Sequence, residues 1–170
     1  GERECEGKAF VCSRACAEFF PHFSPSHSLR LLLQSHKQQV KTSKWSDALA
    51  FYDGALRQLH FVAPNPSTMS AQQPLKTACW LNQALCHLRL ANAANANTNA
   101  NAMTESERRQ GRQNSRARLQ SACKLCTKVL RVDRANVKAL YRRALSLSSP
   151  PFHEYARALA DVHRAIEIDG

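Results

Sequence analysis

Apolar and polar positions follow the period of an α-helix through most of the chain, from about Ser28 onward. Apolar residues recur at spacings of three and four, and no segment sustains the two-residue alternation of a half-buried strand. The pattern therefore predicts an all-α protein. The six predicted helices span residues 28–42, 45–61, 72–91, 116–131, 136–148 and 153–168.

The predicted helices form three pairs, and the second helix of each pair carries small residues where a neighbouring helix must approach closely. These small residues are Ala48 and Ala55, then Ala122, then Ala158 and Ala165. Such a recurrence predicts a helical repeat protein, because each pair can bury its apolar face only by stacking on the next. The predicted repeats span residues 28–61, 72–131 and 136–169, within a domain of residues 28–169.

Two connections are longer than a regular repeat allows. Residues 62–71 contain two prolines and are predicted to form an irregular turn. Residues 92–115 are a low-complexity insert of alternating Asn and Ala followed by Arg-rich sequence, which predicts disorder because it buries little apolar surface. The alternatives are that the preceding helix continues, or that Thr104 begins a new one. Residues 1–27 fit no repeat and are predicted to be poorly ordered.

Composition narrows the class of protein. The 170 residues suffice for one domain, and no stretch approaches the roughly 20 apolar residues of a membrane span. The chain also begins without the zones of a secretory signal, so a cytosolic or nuclear location is expected. Seven irregularly spaced cysteines are expected to be reduced thiols.

Packing is the expected role of the aromatic and cysteine residues at helical spacing. They are Trp45, Tyr52, Trp80 and Tyr141 among the aromatics, and Cys79, Cys86, Cys123 and Cys126 among the cysteines. A zinc site near the N-terminus is a minor alternative, because Cys12 and Cys16 precede three histidines at spacings that fit a finger poorly. The sequence offers no nucleophile with a base, no paired carboxylates and no phosphate loop, so no catalysis, metal or cofactor is expected.

The net charge of +11 is concentrated in residues 108–143, which hold twelve Lys or Arg and the single acid Asp133. Such a positive field favours anionic partners without distinguishing among them. Within it, Lys138 and Arg142 lie one helical turn apart on the same face. An ammonium group and a forked guanidinium so placed can converge on one carboxylate.

Three segments in order, at residues 81–90, 124–130 and 136–144, resemble the tetratricopeptide region of large FKBP-type immunophilins. The resemblance covers residues 29–169. It implies three helix-turn-helix repeats stacked as a right-handed superhelix, whose first helices line a concave groove. It further implies that the groove binds the acidic C-terminal peptide of heat shock protein 90 or 70. The prolyl isomerase activity of such proteins resides in a separate domain, so this chain is not expected to be an enzyme.

The resemblance also assigns residues to a carboxylate clamp. Asn82 matches the asparagine of the second repeat, and Lys138 and Arg142 match the lysine and arginine of the third. The first repeat departs from the family pattern, but Lys37 and Lys41 lie on the groove-facing side and can make a rearranged contact. The alternative function is a degenerate scaffold that binds another protein or RNA through its outer surface or basic loop; nucleic acid is the less favoured partner.

Overall fold

The computed structural model describes residues 45–61, 66–98, 104–150 and 152–170 of the chain. Within these ranges the protein consists of helices and connecting turns, without strands, which confirms the all-α prediction. The helices are α1 (Trp45–Phe61), α2 (Pro66–Thr98), α3 (Glu105–Val132), α4 (Val137–Ser148) and α5 (Tyr155–Asp169). The predicted helix 28–42 and the N-terminal segment 1–27 lie outside the described residues.

Each helix packs against the next one along the chain, and α2 also contacts α4. The small residues predicted at close approaches are all buried, which confirms that part of the prediction: Ala48, Ala55, Ala122, Ala158 and Ala165. One apolar cluster joins α1 to α2, and a second joins α2, α3, α4 and α5. None of the helices in the described ranges has the length and apolarity to cross a membrane.

The prediction of disorder in residues 92–115 was wrong for residues 92–98 and 105–115, which are helical. Alanine favours the continuation of α2. The start of α3 is fixed by Thr104, whose hydroxyl accepts from the Glu107 backbone N–H at 3.3 Å while the Glu107 carboxylate accepts from the Thr104 backbone N–H at 2.8 Å. This reciprocal cap matches the alternative in which Thr104 begins a helix.

The other helix ends differ from prediction for local reasons. Pro66 begins α2, so residues 66–71 are helical and the predicted irregular turn was wrong there; proline suits a first helical position because its missing N–H has no partner in that turn. Helix α4 begins after Asn136, whose side chain accepts from the Ala139 N–H at 3.1 Å. Helix α5 begins at Tyr155 because His153 has a φ of 51°, outside the helical region.

The packing roles predicted for the thiols hold for Cys79, Cys86 and Cys126, which are completely buried. All four cysteines among the described residues are free thiols. Burial raises the pKa of Cys79 and of Cys86 from 9.0 to about 11, and that of Cys126 to about 12. Burial also raises the pKa of the Tyr52 hydroxyl from 10.0 to about 12, with a smaller effect of Cys86.

We therefore expect the folded state to lose stability in alkali. Each of these groups binds its proton more tightly when folded, so its stabilising effect is complete below its unfolded pKa, about 9 for the thiols, and is lost as the pH rises through about 11 to 12. Urea unfolding at about pH 8, 10 and 11 measures the effect. A variant without these thiols, Cys79→Ala/Cys86→Ala/Cys126→Ala, should show a flatter pH dependence of the unfolding free energy. An unfolding free energy of the wild-type chain that stays constant to pH 11 would contradict the expectation.

Candidate functional site

A groove between α2 and α4 contains a cavity of about 450 Å³. Its walls come from one face of each helix, because the contributing residues are spaced by three, four and seven. The lining residues are Leu85, Leu88, Arg89 and Asn92 from α2, and Lys138, Tyr141, Arg142, Leu145 and Ser149 from α4 and its C-terminal end. The two cations predicted to share one space therefore do so.

Lys138 and Arg142 are presented differently within this cavity. The Lys138 side chain is exposed and forms no salt bridge with any described acid. The Arg142 guanidinium is partly buried and donates one hydrogen bond to the Leu81 carbonyl of α2, at 2.5 Å. Since a guanidinium carries five N–H donors, most of the Arg142 donors remain available to a ligand.

The surroundings of Arg142 contain no negative charge from the described residues. Its pKa is lowered, first by burial and against the smaller effects of Cys126, Cys86 and Tyr52. Those three groups have raised pKa values and are neutral at physiological pH. A charge removed from water without a counter-charge is costly, and a bound anion would offset that cost. The electrostatics of this end of the groove therefore favour an anionic ligand.

Asn82 lies on α2, next to the Leu81 carbonyl that Arg142 contacts. The Arg142 guanidinium contacts the peptide unit between Leu81 and Asn82, whereas the Asn82 side chain is not among the residues that line the cavity. Its amide lies close enough to the Tyr52 hydroxyl to offset a small part of the rise in pKa that burial causes there. The geometry falls short of a hydrogen bond, and the buried Tyr52 oxygen has no partner among the described residues. Asn82 and Tyr52 thus supply polar groups beside Arg142.

The remaining clamp residues of the sequence prediction, Lys37 and Lys41, lie outside the described residues. Arg89 and Tyr141 are among the lining residues that the sequence analysis did not assign to the site. Arg89 follows Asn82 by seven positions and therefore shares its helix face, a spacing that could have identified it. The packing role predicted for Tyr141 was wrong, because its side chain is 57% exposed at the cavity.

Arg89 also connects the groove to α1. Its guanidinium carbon lies 5.9 Å from the centre of a Trp45 ring, a distance at which a cation is attracted to the aromatic face. This contact holds Arg89 at the rim of the cavity while leaving its N–H groups free to donate. The cavity is therefore bordered by three cations, with leucine side chains between them.

The structure adds little evidence for the two other candidate sites of the sequence analysis, the zinc site and the basic loop. The described residues contain no group of three or more His, Cys, Asp or Glu side chains that could hold a metal ion. The proposed Cys/His segment near the N-terminus lies outside them. Within the basic segment of α3, Arg109 and Arg112 both pair with Glu105, at 3.3 and 3.2 Å.

Comparison with known proteins leaves the family open. No protein-family model matches the chain, and no solved structure matches it significantly.

Proposed function

We propose that this chain is a tetratricopeptide module of an immunophilin-like co-chaperone, with a partial carboxylate clamp for the acidic C-terminal peptide of heat shock protein 90 or 70. In this proposal the helices stack as a right-handed superhelix, and the pairs α2–α3 and α4–α5 form its second and third repeats. The first helix of each pair would then line the concave surface. The cavity between α2 and α4 supports this arrangement, because it joins those two helices.

The observation that carries the proposal is the cavity shared by Lys138 and Arg142, in which the partly buried guanidinium has no acid partner among the described residues. A peptide carboxylate placed between them would receive charged hydrogen bonds worth about 1.5–3 kcal/mol each. Three or four such bonds approach the roughly 8 kcal/mol of a micromolar complex. Leu85, Leu88 and Leu145 offer apolar contacts to the adjoining peptide side chains.

The proposal assigns binding and no catalysis to the chain, and no cofactor is required. Its partners are chaperone peptides, in the cytosol or the nucleus. Asn82 would complete the clamp beside Arg142, and Lys37 and Lys41 would take over the contacts of the altered first repeat. Any prolyl isomerase activity would belong to a separate domain of the parent protein.

The proposal predicts that binding depends on a free peptide terminus. A fluorescently labelled acidic C-terminal chaperone peptide should bind the chain, and its C-terminally amidated twin should bind at least about tenfold more weakly, because amidation removes the carboxylate that the clamp would hold. Fluorescence anisotropy titrations of the two peptides provide the measurement. A neutral peptide of equal length controls for contacts that do not involve charge.

Equal affinity for the free and amidated peptides would end the clamp proposal. A positive surface without a clamp would bind both peptides by general charge attraction. Equal affinity would then favour the alternative function, a degenerate scaffold that binds through its outer surface.

A further inference from the structure

A second cavity, of about 330 Å³, lies between α3, α4 and α5. It adjoins the opposite face of α4 from the groove, because Leu140 and Arg143 are turned by about half a helical revolution from Lys138 and Arg142. Four of its seven lining residues are arginines. The complete lining is Thr127, Leu130, Arg131, Arg134, Leu140, Arg143 and Arg164.

Only Arg143 of these four arginines is neutralised by an acid among the described residues. Its guanidinium donates two hydrogen bonds to the carboxylate of the buried Asp161, at 2.7 and 2.6 Å. This fork-to-fork geometry fixes the Arg143 side chain at the floor of the cavity. The remaining three arginines are exposed and form no salt bridge with a described residue.

Nearby acids do not compensate these three charges. The Asp133 carboxylate accepts from the Ala135 N–H and from the Asn136 side chain, both at 3.0 Å, so it is used to shape the turn before α4. Glu167 lies three positions after Arg164 on α5 without pairing with it among the described contacts. The three uncompensated guanidinium groups around this small space repel one another, and a multiply charged anion bound between them would replace that repulsion with attraction.

The lining favours phosphate over other anions. Guanidinium forks match the tetrahedral oxygens of phosphoryl groups and can bind them in pairs. The volume corresponds to roughly ten water molecules, which suits a compact anion and not a folded partner or a duplex. No aromatic side chain lines the cavity on which a nucleobase could stack.

We infer that this cavity binds a compact anion with adjacent phosphoryl groups, such as a di- or triphosphate, on the face of α4 opposite the peptide groove. The phosphoryl oxygens accept hydrogen bonds from Arg131, Arg134 and Arg164. Arg143, which is held by Asp161, forms the floor of the site. The site is independent of the proposed peptide clamp.

A neighbouring cavity extends the positive surface along α3. It shares Thr127 and Arg131 with the arginine cavity and adds Lys124 and Lys128 at helical spacing. An anion that outgrows the first cavity therefore meets further cations in one direction. The affinity of the chain for the anion should therefore rise from inorganic phosphate through pyrophosphate to tripolyphosphate. The rise should exceed the increase that the added charge of the anion alone would produce at an exposed patch of cations.

Calorimetric titration of the full chain with sodium tripolyphosphate, in a phosphate-free buffer of physiological ionic strength, tests the inference. Arg131→Ala, Arg134→Ala and Arg164→Ala should each weaken binding at least about tenfold, because each removes charged hydrogen bonds. Arg57→Ala is the matched control, since it removes one exposed arginine from α1, a helix that contributes no residue to this cavity. Thermal melting confirms that each variant is folded.

The results separate a built site from general charge attraction. Loss of tripolyphosphate binding in the three cavity variants, with Arg57→Ala unchanged, supports the inference. Equal losses in all four variants, or no binding at millimolar tripolyphosphate, would overturn it. A single-stranded RNA homopolymer forms a second arm of the experiment: RNA binding that depends on these arginines without any tripolyphosphate binding would overturn the assignment to a compact anion.

Discussion

Replacing Arg142 with glutamine is expected to weaken the binding of a free acidic peptide about 100-fold. In the proposed clamp, Arg142 would donate two charged hydrogen bonds to the peptide carboxylate, each worth about 1.5 kcal/mol or more, and the substitution would remove both. Glutamine retains a donor of similar reach but neither the charge nor the fork. Fluorescence anisotropy with the labelled peptide gives the ratio of dissociation constants.

Companion variants show whether the loss arises at one shared carboxylate. Lys138→Ala should weaken binding about tenfold or more at unchanged thermal stability, since this side chain is exposed. The double variant should lose less than the product of the single losses if both side chains hold the same group. Arg142→Lys should fall between wild type and Arg142→Gln, because it keeps the charge without the fork.

Two controls distinguish the loss of a peptide contact at Arg142 from a loss of folding and from a change in net charge. Its hydrogen bond to the Leu81 carbonyl links α4 to α2, so the melting temperature of each variant must accompany its affinity. Arg57→Ala changes the net charge equally and should leave peptide binding intact. If Arg142→Gln binds the peptide as tightly as the wild type while remaining folded, the groove is not a carboxylate clamp.

Replacing Asp161 with asparagine is expected to lower the free energy of unfolding by about 3 kcal/mol, the largest stability effect of a single polar substitution that we expect. Asp161 is buried on α5 and forms two hydrogen bonds to Arg143 of α4, a contact that raises the Arg143 pKa. The substitution turns an amide N–H group towards one guanidinium donor and leaves a largely buried cation without a counter-charge. Urea unfolding followed by circular dichroism measures the loss.

An exposed ion pair on the same helix supplies the comparison. Arg157 pairs with Glu154 one turn away at the start of α5, and the Arg157 side chain is 66% exposed. Glu154→Gln is therefore expected to cost less than about 1 kcal/mol, since solvent screens such pairs. If Asp161→Asn costs no more than Glu154→Gln, the Arg143–Asp161 pair does not hold α4 against α5.

Several features of the fold follow from short-range rules and were predicted from sequence. The bounds of α1 agree with the prediction, and those of α4 differ by one residue. The alanines at close approaches are buried because the same periodicity that predicts a helix also fixes which face is apolar. The stacking of these helices as tetratricopeptide repeats stays a prediction.

The low-complexity insert shows where composition misleads. A segment that is polar on average was predicted to be disordered, yet residues 105–115 extend α3 by about three turns. The Thr104 cap and the Glu105 pairs with Arg109 and Arg112 stabilise this extension locally. Averaging over composition ignores these specific contacts, whereas the capping sequence itself is readable.

By itself the sequence determined the all-α class of the described residues, the apolar faces of their helices, and the placement of Lys138 and Arg142 on one face. Periodicity within a single helix fixes these properties, because side-chain directions follow from position along the helix. Only the tertiary structure decided that Arg142 is partly buried against the Leu81 carbonyl, that Tyr141 is exposed, and that arginines from α3, α4 and the turn between them meet one from α5 in a single cavity. Such convergence depends on how helices pack across long sequence separations, which no local pattern encodes.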